Sequence, residues 1–169
     1  MLISMNWIGD FVDLSGLDKE ALIHRFTLST AEVEEVYHHG IDTHGVVVAE
    51  IVSVENHPNS AKLHLLKINN GKELVDCVCG APNVRVGMRV VFATEGGAVC
   101  GKPITRATVA GYPSCGMCCS EAELGISAEN SGLMEITDDI PLGTDIKTVY
   151  DLEDTVFEVD NKSLTNRPD

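Results

Sequence analysis

Apolar positions along the 169-residue chain follow two rhythms. Near the N-terminus they recur at helical spacing. Trp7, Ile8, Phe11 and Val12 make one face, with Ser4 placed as an N-cap and Ile3 and Ile8 as a hydrophobic staple. Residues 13–16 end this stretch. Asp18 is the next N-cap, Leu17 and Leu22 form a second staple, and Leu22, Ile23 and Phe26 continue the face until residues 27–30 break it. Residues 32–37 then predict a strand that ends at His38-His39-Gly40. Beyond this point the rhythm shortens. Residues 46–54 are a β-branched run, 63–68 and 73–79 are strands joined by an Asn69-Asn70-Gly71-Lys72 hairpin turn, and 89–93 and 106–109 are two more. His57-Pro58-Asn59-Ser60, Gly80-Ala81-Pro82-Asn83, Gly96-Gly97 and Gly101-Lys102-Pro103 read as the turns between them. Short strands at this spacing predict a small barrel or sandwich. Within it, one helical turn is expected at residues 120–124. Residues 155–159 predict a final strand. Asn166-Arg167-Pro168-Asp169 resembles the start of a helix, so the expectation is part of a longer protein. The class predicted is α+β.

Composition changes this picture little. The chain is 44% hydrophobic and 22% charged, which excludes a disordered segment. Its apolar runs are too short to span a bilayer, and no basic or long apolar leader precedes Trp7. Charge adds more. The formal net charge is −14, unlike that of an electrostatic nucleic-acid binder. The charge is uneven: residues 1–44 carry −6, residues 45–127 are neutral, and residues 128–169 carry −8. Boundaries are therefore expected near residue 40 and after about 128–150.

Six cysteines stand at 77, 79, 100, 115, 118 and 119. Cys77 and Cys79 share one face of a strand. Cys115-Gly116-Met117-Cys118 is a C-x-x-C, open to reading as half a zinc site or a redox pair. It lacks a second matching pair and a preceding βαβ unit, so reduced, partly buried core thiols are the favoured reading. His57 and His64 are read as surface or packing histidines, and the acidic pairs near 138 and 151–154 as solvated loops. No phosphate-binding loop, nucleophile elbow or zinc-protease motif is present, so no catalytic centre and no bound metal are predicted in these residues.

Three ordered blocks carry a resemblance. His57-Pro58-Asn59-Ser60-Ala61-Lys62-Leu63-His64-Leu65-Leu66-Lys67-Ile68 is similar to the first-loop signature of the OB-type tRNA-binding domain. Cys79-Gly80-Ala81-Pro82-Asn83-Val84 resembles its next loop. Gly111-Tyr112-Pro113-Ser114-Cys115-Gly116-Met117 with Ser120-Glu121-Ala122-Glu123-Leu124-Gly125 resembles its late signature. The flanks, Ile3-Ser4-Met5-Asn6-Trp7-Ile8, Glu32-Val33-Glu34-Glu35-Val36 and residues 160–169, resemble the N-terminal region of bacterial phenylalanyl-tRNA synthetase β subunits.

The resemblance implies a five-stranded OB-fold barrel over residues 40–150, inserted into a small helical and mixed domain made of 1–39 and 151–169. It implies tRNA(Phe) and a synthetase α subunit, in an α2β2 tetramer, as partners. ATP and Mg2+ would serve the whole enzyme rather than this region, and the location would be cytoplasmic. Candidate RNA contacts in the matching blocks are Asn59, Lys62, Asn83, Arg85, Ser114 and Ser120, with Lys102 and Arg106 added on charge. Asn83 and Ser114 are equally open to a role in fixing loop backbones. The middle segment is neutral, with Phe92 and Tyr112 as its aromatics, so the expected contact is weak and guided by shape. A free-standing tRNA-binding protein and a subunit-packing module are the competing readings.

Overall fold

The structure is a computed structural model that describes residues 1–40, 42–150 and 152–160. In chain order the elements are β1 (Leu2–Ser4), α1 (Met5–Gly9), α2 (Lys19–Ser29), β2 (Glu32–His39), β3 (His44–Asn56), β4 (His64–Asn69), β5 (Leu74–Cys79), β6 (Arg89–Val99), β7 (Lys102–Pro103), β8 (Ala107–Val109), β9 (Tyr112–Ser114), β10 (Gly116–Cys118), α3 (Ile146–Tyr150) and β11 (Asp154–Asp160). It is mostly antiparallel sheet with few, short helices. Two compact units divide it: Met1–Gly40 with Glu153–Asp169, and Ile41–Leu152. The helix-start pattern of residues 166–169 lies outside the described residues.

The split unit is a three-stranded antiparallel sheet in the order β1-β11-β2. Both helix caps follow the sequence. Ser4 Oγ accepts the Trp7 amide, and Asp18 Oδ1 accepts those of Glu20 and Ala21. Leu22, Ile23 and Phe26 pack on buried Met5, Phe157 and Val159, as their spacing predicts. Two expectations are corrected. Helix α2 runs through residues 27–29, because Phe26 packs on the core and the Thr30 amide reaches Phe26 O. The Trp7–Val12 face stays open: α1 stops at Gly9, leaving Trp7 68% and Phe11 79% exposed.

In the second unit β3 is central, and the sheet path is β10-β6-β3-β4-β5, with β7 added on β6 and a separate β8–β9 hairpin. Side chains alternate across β3 and β6, yet both faces are covered. Ala49, Ile51, Val90 and Phe92 enter one core with Leu66, Ile68, Cys77 and Cys118. Val46, Val48, Val91 and Ala93 enter another with Ile104, Cys119, Ile136 and Ile146. Double burial is why these strands read as continuous apolar runs rather than alternating ones. No ladder among the described strands closes the path into a ring. Its end strands approach at β5 and β10, where the Cys115 amide donates to Asp76 O at 2.8 Å.

Strand β6 does not stop at Ala93, as the pattern predicts, but continues to Val99 through Gly96-Gly97. The reason is close backbone approach. A Cβ on Gly97 would lie 2.6 Å from His44 O, beside the irregular pairing between His44 and Val46. The charge boundary near residue 128 is not a structural one. Residues 41–152 hold eight basic and fourteen acidic side chains, so the unit carries −6 rather than zero. Helix α3 also escaped the pattern. It starts where Asp145 Oδ1 accepts the Lys147 amide.

Candidate nucleic-acid interface

The loop between β3 and β4 is organised by His57. Its ring is buried, with 4% exposure. Nδ1 accepts the Asn59 amide at 3.1 Å, so the ring proton sits on Nε2, which donates to Ala110 O at 3.2 Å. Tyr112 packs edge-on against the ring, with centroids 4.9 Å apart. The His57 amide also donates to Leu63 O, and the Ser60 amide to His57 O. This network ties the loop to the β8–β9 hairpin and leaves Asn59 and Lys62 exposed. Residues 56–61 line a cleft of about 600 Å³.

The loop after β5 is held from further along the chain. Asn83 Nδ2 donates to Leu133 O at 3.0 Å, and Asn83 Oδ1 accepts the Leu133 amide at 2.9 Å. Gly132 makes room for the amide, since a Cβ there would lie 2.7 Å from Asn83. Asn83 therefore spends both ends of its side chain on fixing a backbone. Ser114 does the same. It is buried, accepts the Val78 amide at 3.1 Å and donates to Gly116 O at 3.0 Å. Ser120 caps the turn at 120–124. Its hydroxyl accepts the Glu123 amide, and Glu123 Oε2 accepts the Ser120 amide at 2.7 Å, a capping box.

These placements separate the candidates. Lys102 and Ser120 share a cleft of about 840 Å³ with the Gly80–Pro82 backbone and the segment 130–133 that Asn83 pins. Asn59 lies in the other cleft, and Ser114 is internal. Arg85 is ion-paired with Glu135, and Arg106 with Glu95 at 3.5 Å. Arg89 and Lys67 pair with Asp139 and Asp76 at 2.8 and 2.9 Å. Exposed Lys62, Lys72 and Lys102 have no ion pair among the described residues, so within Ile41–Leu152 these three are the cations best free to meet phosphate. Phe92 is fully buried and offers no stacking face, while half-buried Tyr112 meets His57 edge-on. Sequence reasoning had no role for His57 beyond packing and passed over Lys72 and Glu135. The His-Pro-Asn-Ser string carried the signal for the first. The partner of Arg85 lies 50 residues away and left none.

Comparison with known proteins agrees with this part of the chain. The profile of a family described as "Putative tRNA binding domain" matches residues 46–145. A protein of Geobacter metallireducens named phenylalanine--tRNA ligase beta subunit is 41% identical over 160 residues, covering 94% of this chain. One of the same name from Aromatoleum aromaticum is 41% identical over 170 aligned positions and covers all of it. The one from Pseudoalteromonas translucida is 40% identical over 162 residues. The chain spans about a fifth of the length of these relatives. With the family profile running from the central strand β3 through both clefts, the chain belongs to the tRNA-binding domain family.

Proposed function

We propose that this chain is the tRNA-contacting region of a phenylalanine–tRNA ligase β subunit, and that it helps position tRNA(Phe) for ATP-dependent aminoacylation on the α subunit. The observation that carries the reading is the family match over residues 46–145, within relatives of one name that cover nearly the whole chain. In this reading residues 40–150 are an OB-type barrel inserted into a domain formed by 1–39 and 151–169. The central position of β3 and the approach of β5 to β10 support it. ATP and Mg2+ belong to the whole cytoplasmic α2β2 enzyme.

Contact with RNA is weak and guided by shape. Lys62 and Lys102 meet phosphates. Asn59 offers hydrogen bonds from the first loop. Arg85 and Arg106 join only by leaving Glu135 and Glu95. Asn83, Ser114 and Ser120 act by holding the loops in the shape that RNA meets. Titration of the chain with tRNA(Phe) tests this. The expected result is no submicromolar complex at physiological salt, binding that appears as salt falls, and a log–log salt slope reduced by about 1 for each of Lys62→Ala and Lys102→Ala. Submicromolar binding at physiological salt overturns the weak-contact reading. The −6 charge of the unit limits the strength of that contact. Absence of binding even at low salt would overturn direct RNA contact.

A further inference from the structure

The proposed tRNA contact makes no use of the cysteines, three of which cluster. Cys77 and Cys79 on β5 and Cys118 on β10 are buried in one core. Cys77 Sγ lies 3.9 Å from Cys118 Sγ, near van der Waals contact, and the Ser114 hydroxyl lies 3.7 Å from the same Cys77 sulphur. Cys79 has a local commitment, since its sulphur accepts the Ala81 amide at 3.4 Å. The Cys77–Cys118 pair stands where the two ends of the sheet path face each other, joined there by the Cys115–Asp76 backbone bond rather than by a ladder.

Each member of the pair also borders a different cavity. Cys77 lines one of about 230 Å³ with Lys67, Asp76 and Tyr112. Cys118 lines the larger cleft of about 840 Å³. The two residues are only 2% and 6% exposed, so these cavities border the pair rather than expose it. The Cys77–Cys118 hydrogen bond, in which either sulphur can donate, holds the Cys77 thiol below its ordinary pKa. The same hydrogen bond, with burial, raises Cys118. Cys79 is lowered as well, to about 7, by its own hydrogen bond with Cys118, so Cys118 holds its proton most strongly and thiolate character is shared by the two β5 sulphurs, of which Cys77 lies 3.9 Å from Cys118 Sγ.

We propose that Cys77 and Cys118 are a redox pair that hydrogen peroxide converts into an intrachain disulfide tying β5 to β10. The Cys77 thiolate attacks one peroxide oxygen. The O–O bond breaks, an S–O bond forms, and hydroxide leaves, becoming water with the proton that Cys77 released to solvent on ionising. The Cys118 sulphur then attacks the sulfenic sulphur. The S–S bond forms, the S–O bond breaks, and a second water departs with the Cys118 proton. Two thiols lose two electrons, and one peroxide becomes two waters.

The test uses the whole chain under native conditions. It is treated with graded hydrogen peroxide, quenched in acid, alkylated, digested without reductant and mapped by mass spectrometry. The expected product is a peptide linking Cys77 to Cys118, about 2 Da lighter than the two thiol peptides together and released by dithiothreitol. In Cys118→Ser, Cys77 accumulates as a sulfenic acid that dimedone traps. The wild-type map decides the matter even if that variant does not fold. Two outcomes overturn the proposal: no linked peptide at peroxide concentrations that oxidise the exposed Cys100, or a link from Cys118 to Cys79 in its place.

Discussion

The unit Ile41–Leu152 covers both faces of its central strands, whereas the split unit builds one small core on its three-stranded sheet. In the first, Val46, Val48, Ala49 and Ile51 on β3 and residues 90–93 on β6 are all fully buried. In the second, the buried apolar residues among those described are Met5, Phe157 and Val159, while Trp7, Phe11, Val12, Leu17 and Leu28 stay at least half exposed. Strand β11 shows what one-sided cover looks like, with Thr155, Phe157 and Val159 buried and their neighbours half exposed. An apolar residue's energetic weight thus follows its burial, which the central strands of the first unit share throughout and many apolar residues of the split unit lack.

Phenylalanine gives the sharpest break of that contrast. Phe92 is fully buried on β6. Phe92→Ala is expected to cost about 3–5 kcal/mol, from lost transfer energy plus the cavity left behind. Phe11→Ala, at 79% exposure, is expected to stay within about 0.5 kcal/mol. Urea unfolding of the two variants makes the measurement. A cost above about 2 kcal/mol at Phe11 would mean that the open face is packed, and the contrast would fail.

The same contrast explains how much the sequence tells in advance. The β-branched run at 46–54 and the strand at 155–159 are legible because local propensity and burial agree. So are the caps Ser4 and Asp18, whose partners lie within three residues. What hides is anything set by distant chain. Gly96-Gly97 reads as a turn because glycine usually breaks strands, yet here it lets β6 pass close against His44 and Gly45. Residues 27–29 read as a break because serine and threonine disfavour helices, yet the packing of Phe26 and the Thr30–Phe26 backbone bond carry the helix through them. Trp7 and Phe11 have helical spacing, and spacing alone does not say whether anything covers the face. In the candidate site, the blocks around Asn59, Asn83 and Ser114 were legible as motifs. Their division of labour was not, because Leu133 and Glu135, which occupy Asn83 and Arg85, lie 50 residues on.

Asn83 offers the next step down in size. Asn83→Ala removes both bonds to Leu133 and leaves that backbone pair without its partner, at an expected cost of about 1–3 kcal/mol. Faster hydrogen exchange at residues 131–135 should accompany it. Unchanged exchange there would show that the loop is held by something else, and would return Asn83 to the list of direct contacts. The matching local change in the split unit is smaller. Asp18→Ala removes the cap of α2 and should cost about 1 kcal/mol, seen as a lower urea midpoint. A loss as large as that at Phe92 would mean that the split unit depends on this one helix more than its modest core implies.

The smallest expected effect is electrostatic and tests the exposed side of the split unit's sheet. Glu35 and Glu158 stand directly opposite each other on β2 and β11, an unfavourable like-charge pair. The Tyr37 hydroxyl lies between them, 2.7 Å from Glu158 Oε2 and 3.0 Å from Glu35 Oε2, and donates into the pair. Those hydrogen bonds exist only while the phenol keeps its proton, so they push the Tyr37 pKa well above its ordinary value. The sign follows. A pKa raised in the folded chain contributes stability that is fully present below the unfolded value of about 10 and is lost as pH rises through the folded one. Wild-type stability should therefore fall as pH rises above about 10, while Tyr37→Phe lacks this component of the fall. Tyr150, also raised, by burial, contributes in both proteins, so the difference between them isolates Tyr37. Urea midpoints measured from pH 8 to about 11.5 provide the check. Parallel curves would mean that the two glutamates are held apart without the hydroxyl, and that this face of the split unit gains nothing from it.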